Sequence, residues 1–437
     1  MVHHTLLYYS EIPMSSRTYI NDLSLDLLQE IFELVVLHGD QTAPTIAPHS
    51  PRYHSPASPY AISHVCQQWR YIALGYSRLW SHLSVVKPRT TALRHLLREW
   101  MNRAKQFSLH LSLHEIDTLT PFATRAILSL FLNAAHKCKS FKLHIHSDSL
   151  KIFDMNNLRI QQPLLHLEHL TIRTNDHSER PKAKSVLEIL FSAPSLRSMT
   201  WSNPGPIRFK KSSKSWTNLC QLSFLTPLYP EDLPTVLSTC QSLEKLVLHR
   251  PKASCRHITL PRLVFLAVTI ASSDSLNWLT APSLTVLEIV LVRRVRLHII
   301  TTMTHRSGAK LRTLRVKKHM KENTHLTKTE ERLFLTMLES DSFTELRELE
   351  VEQYVGLRTL KFLTLPPPPT TQERRSVNLP FLNTVRLIFF PKSRILDVRH
   401  NLDALLASRI SAYQNCIVHD SDNQFFSNET LQFVLQR

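Results

Sequence analysis

Between Ala61 and Leu83 the apolar residues Ile62, Val65, Cys66, Trp69, Ile72 and Ala73 recur at i, i+3, i+4, i+7, i+10 and i+11. That spacing predicts one continuous stripe on a helix of period 3.6. Gly75 follows the last turn, where a left-handed C-terminal cap is expected. A second short helix then sets Leu79, Trp80 and Leu83 on one side. Upstream, Leu27, Leu28, Ile31, Phe32, Leu34 and Val35 form a broad apolar stripe over Leu23–Val36. Ser24 suits its N-cap, and Asp26 complements the helix dipole. Between the two stripes, Asp40–Pro59 carries five prolines, which predicts a flexible insertion over 40–59. Residues 1–19 show no period and read as a disordered tail.

The rhythm changes after Pro88. A linking helix within 86–105 carries Leu93, Leu96, Leu97, Trp100, Met101 and Ala104 on one face. Phe107, Leu109, Leu111 and Leu113 then alternate as a strand, Phe122–Ala135 is helical, and Phe141, Leu143 and Ile145 alternate again. From there Leu-x-x-apolar-x-apolar recurs, beginning at Leu167, Leu196, Leu219, Leu243, Leu263, Leu284, Leu311, Leu346 and Leu382. Successive spacings of 29, 23, 24, 20, 21, 27, 35 and 36 residues bracket the period of leucine-rich repeats. Proline stands two residues before the first leucine at Pro194, Pro261, Pro282 and Pro380, ending the preceding turn and favouring an extended start. Helical pieces are expected at Val186–Phe191, Asp232–Ser238, Leu276–Leu279, Glu330–Leu338 and Leu402–Ile410, with surface loops at Lys317–Thr329 and Leu365–Ser376. The array, placed at 106–437, is irregular: the Asn common eight residues after the first leucine occurs only at Asn175.

In such an array the residues flanking the second apolar place of each unit point to the open face. They are His169 and Thr171, Ser198 and Thr200, Gln221 and Ser223, Lys245 and Val247, Phe265 and Ala267, Val286 and Glu288, Thr313 and Arg315, and Glu348 and Glu350. This face starts polar and neutral, turns apolar and ends charged.

At 437 residues the chain exceeds one ordinary core, and 43% hydrophobic with 20% charged residues is the balance of a folded protein. No apolar run approaches a membrane span, and the N-terminal stretch lacks the basic start of a secretory signal. The six cysteines are scattered without a CxxC pair or zinc spacing, which points to reduced thiols in a cytoplasmic or nuclear protein. The net charge of +18 is spread out, with only small clusters such as Arg293, Arg294 and Arg296. A diffuse field favours a plain solvated surface, or a concave face suited to an acidic partner, over direct nucleic-acid binding, which needs a concentrated basic face.

Three elements in order resemble a known family. Ile20-Asn-Asp-Leu-Ser-Leu-Asp-Leu-Leu-Gln-Glu-Ile-Phe, then Ile62-Ser-His-Val-Cys-Gln-Gln-Trp-Arg-Tyr-Ile-Ala, then Arg78-Leu-Trp resemble an F-box. More narrowly, they are similar to the F-box-like domains of mushroom-forming fungi, here joined to C-terminal leucine-rich repeats. Ser24 and Ser77 stand where that pattern usually has proline. The resemblance implies an α/β chain with a small three-helix F-box-like domain over 20–85, then an irregular leucine-rich-repeat solenoid with a curved parallel sheet. It implies docking to the Skp adaptor of a cullin–RING ubiquitin ligase, with an unknown target protein on the repeats. Carried over by match to the motif, Leu23, Leu27, Leu28, Ile31, Phe32, Val65, Cys66, Trp69, Leu79 and Trp80 become candidate residues for the dock, some as contacts and some as core.

Catalytic motifs do not compete with this reading. The chain has no GxSxG, P-loop or GxGxxG, and five glycines leave little material for phosphate-cradling loops. The 24 histidines are many, but the close sets His3-His4, His144 and His146, and His166 and His169 lack carboxylate partners at ligand spacing. The expectation is therefore a non-catalytic chain without cofactor, metal or membrane association. The second reading is a basic repeat scaffold that binds nucleic acid or an acidic protein without ligase association.

Overall fold

The computed structural model describes residues 20–38, 45–46, 58–86, 93–115, 121–146, 149, 163–174, 190–202, 214–226, 232–251, 256–271, 276–292, 297–318, 328–355, 357–364, 379, 381–389, 401, 404–405, 415–420 and 431–436. The chain divides into two compact units, Met1–Lys139 and Ser140–Arg437. The division falls after Lys139, whereas the sequence reading starts the repeat array at 106.

In the first unit, helix α1 (Leu25–Glu33) continues into a π-helical turn, Leu34–His38. Ser24 caps α1, its hydroxyl accepting from the Leu27 amide at 3.4 Å. Strand β1 (Thr45–Ile46) lies inside the stretch expected to be a flexible insertion and pairs in parallel with β2 (His82–Val86).

The single helix expected after Ala61 is two helices, α2 (Pro59–Ser63) and α3 (Gln67–Gly75). Cys66 causes the break. It is extended at φ −154°, and its Sγ accepts from the Trp69 amide at 3.4 Å, an N-cap that starts a new helix. Ser58 and Pro59 start α2 by the same logic, with the Ser58 hydroxyl accepting from Ala61 N at 3.1 Å. Gly75 is not a left-handed cap: it ends α3, and Tyr76 follows at φ −84°. Arg78-Leu-Trp forms a 3-10 turn, Ser77–Trp80, and Leu83 lies on β2 rather than on a helix. Helix α4 (Leu93–Arg103) leads to β3 (Leu109–His114), which pairs in parallel with β2, and helix α5 (Pro121–Asn133) follows.

The second unit is built on one large parallel sheet. Strands β4 (Cys138–Ile145), β5 (His169–Thr174), β6 (Ser198–Ser202), β7 (Gln221–Phe224) and β8 (Lys245–His249) pair in that order. Short β9 (Ile258–Thr259) and β11 (Leu279–Thr280) pair separately with each other. The main run passes from β8 to β10 (Phe265–Ile270), β12 (Val286–Leu291), β13 (Thr313–Lys318), β14 (Glu348–Val355) and β15 (Thr384–Phe389). At the far end β17 (Leu431–Gln436) and β16 (Asn415–Asp420) add in antiparallel fashion, so the final segment departs from the repeat expected to run to 437.

Register explains why the repeat signal was legible. The first leucine of every unit, from Leu167 to Leu382, is buried, as is the second apolar place. At each step one carbonyl receives two amides of the next unit. Glu168 O accepts from Arg197 and Ser198, Glu244 O from Val264 and Phe265, and Arg347 O from Asn383 and Thr384, all at 2.8–2.9 Å. This pairing holds each strand one unit over while alternate side chains enter the core. Helices at Asp232–Ser238 and Lys328–Leu338 match expectation. Leu276–Leu279 is instead a turn leading into β11, and Lys317 belongs to β13 rather than to a loop. Residues 186–189, most of 402–410, all of 365–376 and Asn175 lie outside the described residues.

Candidate functional site

Helix α1 carries two apolar faces where a helix at the edge of a small unit needs one. Leu28, Phe32 and Val36, at i, i+4 and i+8, are buried. Leu27, Ile31 and Leu34, at i, i+4 and i+7, form a second stripe: Leu27 is 48% exposed, Leu34 is 59% exposed and Ile31 is half-buried. Leu25 and Val35 are exposed beside it, and Leu23 is half-buried at its start. Covering a leucine side chain is worth about 1.5–3 kcal/mol, so this stripe holds binding energy that the fold leaves unused.

The rest of the dock implied by resemblance sorts by burial. Val65, in the turn between α2 and α3, is 60% exposed, and Cys66 is half-buried and engaged as a cap. Trp69 is half-buried, its ring tilted against Phe32 at 4.8 Å between centroids. Leu28, Phe32, Leu79 and Trp80 are buried in the core. Trp80 is fully buried, and its Nε1 donates to the Ala73 carbonyl at 2.8 Å. Its ring meets Tyr60 edge-on at 4.9 Å and Trp100 at 5.0 Å, and the Arg103 guanidinium sits 5.2 Å over it. Beneath the stripe, Glu33 accepts from the Tyr76 hydroxyl at 2.7 Å and pairs with Arg78 at 2.9 Å, joining α1 to the turn that follows α3. Burial, and then the Glu33 carboxylate, raise the Tyr76 hydroxyl above its ordinary pKa. Nothing in the spacing of Glu33 and Tyr76 announced that bond.

In the second unit, alternate strand residues form the face expected from the repeat, with one exception: Thr313 is buried, its hydroxyl 3.3 Å from Glu348 Oε2. At one end of this face Glu288, Arg315, Glu350 and Arg386 stand in register on β12, β13, β14 and β15. Arg315 is 3.4 Å from Glu350, 3.5 Å from Glu348 and 4.0 Å from Glu288. Lys317 pairs with Glu288 at 2.9 Å and Arg386 with Glu350 at 3.0 Å. The row was readable as alternating charge four residues past the first leucine of four consecutive units.

Among the described residues no group of His, Cys, Asp and Glu could hold a metal ion, and no helix is long and apolar enough to cross a membrane. Burial raises the Cys138 thiol well above its ordinary pKa and pushes that of Cys240 up to about 12, which leaves neither a nucleophile at neutral pH. No protein-family model matches the chain, and no curated protein is significantly similar to it.

Proposed function

We propose that this chain is a non-catalytic substrate-recognition adaptor of a Skp–cullin–F-box type ubiquitin ligase. In this reading the first unit docks the Skp adaptor, and the second, a leucine-rich-repeat solenoid, holds a target protein within reach of the transferred ubiquitin. The chain then contributes proximity rather than chemistry. The observation that carries the proposal is the apolar stripe Leu27, Ile31 and Leu34 on a helix whose opposite face is already buried. Leu27 and Ile31 lie within the first of three ordered F-box-like elements, and Leu34 stands two residues past its end. Contacts are assigned to Leu23, Leu27, Ile31, Val65 and Trp69, with Leu34 and Leu25 added on grounds of exposure, and Leu28, Phe32, Leu79 and Trp80 support them from the core. Co-precipitation of the full chain with a Skp adaptor, with and without charged substitutions in the stripe, tests the proposal.

A further inference from the structure

Charge on the open face of the second unit is segregated. On β12–β15 three carboxylates (Glu288, Glu348, Glu350) meet three cations (Arg315, Lys317, Arg386), and all six are paired. On β4–β8 and β10 the open-face positions carry Lys142, Arg173 and Lys245 but no Asp or Glu. His144, His169 and His249 share these strands, and the rows between are hydroxyls: Thr171, Thr200 and Ser223 follow Lys142 in one register line. No ion pair to Lys142 or Arg173 occurs among the described residues, and both are exposed. Lys245 lies 4.9 Å over the Phe265 ring, a position that keeps its charge available on the face.

We propose that this stretch, whose open-face strand positions carry no carboxylate although Glu168 comes within 3.9 Å of His169 from just before β5, receives an acidic, extended segment of the target protein, laid across the strands. The inference rests on the reading of the second unit as the part that receives a target. Lys142 on β4 and Lys245 on β8 are four strand steps apart, roughly 19 Å at about 4.8 Å per step. An extended chain advances about 6.6 Å per pair of residues, so acidic side chains at alternate positions reach both lysines and Arg173 with hydroxyl donors between them. Nucleic acid fits less well. Three cations fall short of the roughly 6–10 phosphate contacts of a nucleic-acid binder, and Phe265 is the one aromatic residue at the described open-face positions of these strands. The paired end beyond β12 repels neither sign and marks where the acidic segment leaves the face.

The test is fluorescence titration of the full chain with a labelled oligo-glutamate peptide, with oligo-lysine and a single-stranded RNA as comparators. A triple charge reversal on the face (K142E, R173E, K245E) is compared with a triple reversal off it (R262E, R332E, R358E), at exposed positions and with the same change in net charge. The proposal expects oligo-glutamate to bind, the face variant to lose affinity about tenfold or more, and the off-face variant to keep it. Equal loss in both variants, no preference over oligo-lysine, or tighter binding of the RNA overturns it. Skp binding by the same three proteins is measured in parallel. Peptide failure with Skp binding intact rejects this inference alone, whereas Skp failure with peptide binding intact rejects the ligase reading and leaves the acidic-partner site standing.

Discussion

The Trp80 indole is tied to the carbonyl of Ala73 at 2.8 Å and has no exposed surface. The Leu-Trp element of the F-box-like pattern is therefore a wedge between the end of α3 and the Tyr60–Trp100 pair. Trp80→Ala removes both the wedge and the bond, and a loss of about 3–5 kcal/mol is expected. Trp80→Phe keeps most of the ring contact, gives up the donor and should cost less. Denaturant unfolding of the first unit's signal measures both, and a Trp80→Ala loss under about 1 kcal/mol would contradict a core role.

Leu27 and Leu34 predict the opposite behaviour. Being about half exposed, they support the fold less than core residues do, so Leu27→Asp with Leu34→Asp should cost about 1–2 kcal/mol of stability, well short of the Trp80→Ala loss, and leave the chain folded. If the midpoint falls as far as it does for Trp80→Ala, the stripe is buried by something else in the fold.

Arg315 holds three carboxylates near one another on β12 and β14. Arg315→Ala leaves Glu288, Glu348 and Glu350 without it, although Lys317 and Arg386 remain. Because the Arg315 side chain is 36% exposed, solvent screening limits the expected loss to about 1 kcal/mol, and the loss should shrink in high salt. A salt-independent loss would mean that the stem's packing, not its charge, matters.

His114 gives a pH dependence with a definite sign. Burial lowers its pKa from the ordinary 6.5, so the unfolded chain takes the proton before the folded one. Its contribution is intact above the unfolded value and is lost as pH falls through the folded value. Between about pH 7 and pH 5, His114→Gln should lose less stability than the parent does, read as unfolding midpoints against pH. Parallel curves for the two proteins would refute the assignment.

Periodicity carried the second unit far and the first only part of the way. Leucines every 20–36 residues marked strands because each unit repeats the same burial, whatever lies between. The stripe from Ile62 to Ala73 misled because α2 and α3 share one apolar phase across a gap, and the feature that breaks them is a cysteine thiol acting as a cap, a role Cys rarely fills. Likewise β2 was hidden because Leu83 and Val85 alternate over too few residues to outweigh a helical reading of Leu79 and Trp80. Motif matching also could not separate Leu27 from Leu28, whose neighbours decide that one faces out and the other in.

The most direct measurement is the affinity of the purified full chain for a Skp adaptor, by calorimetry, for the parent and for the Leu27→Asp, Leu34→Asp variant. The account predicts one-to-one binding by the parent and its loss in a variant that is still folded under the binding conditions. A folded parent that fails to bind, under conditions where an established F-box protein binds, would contradict it.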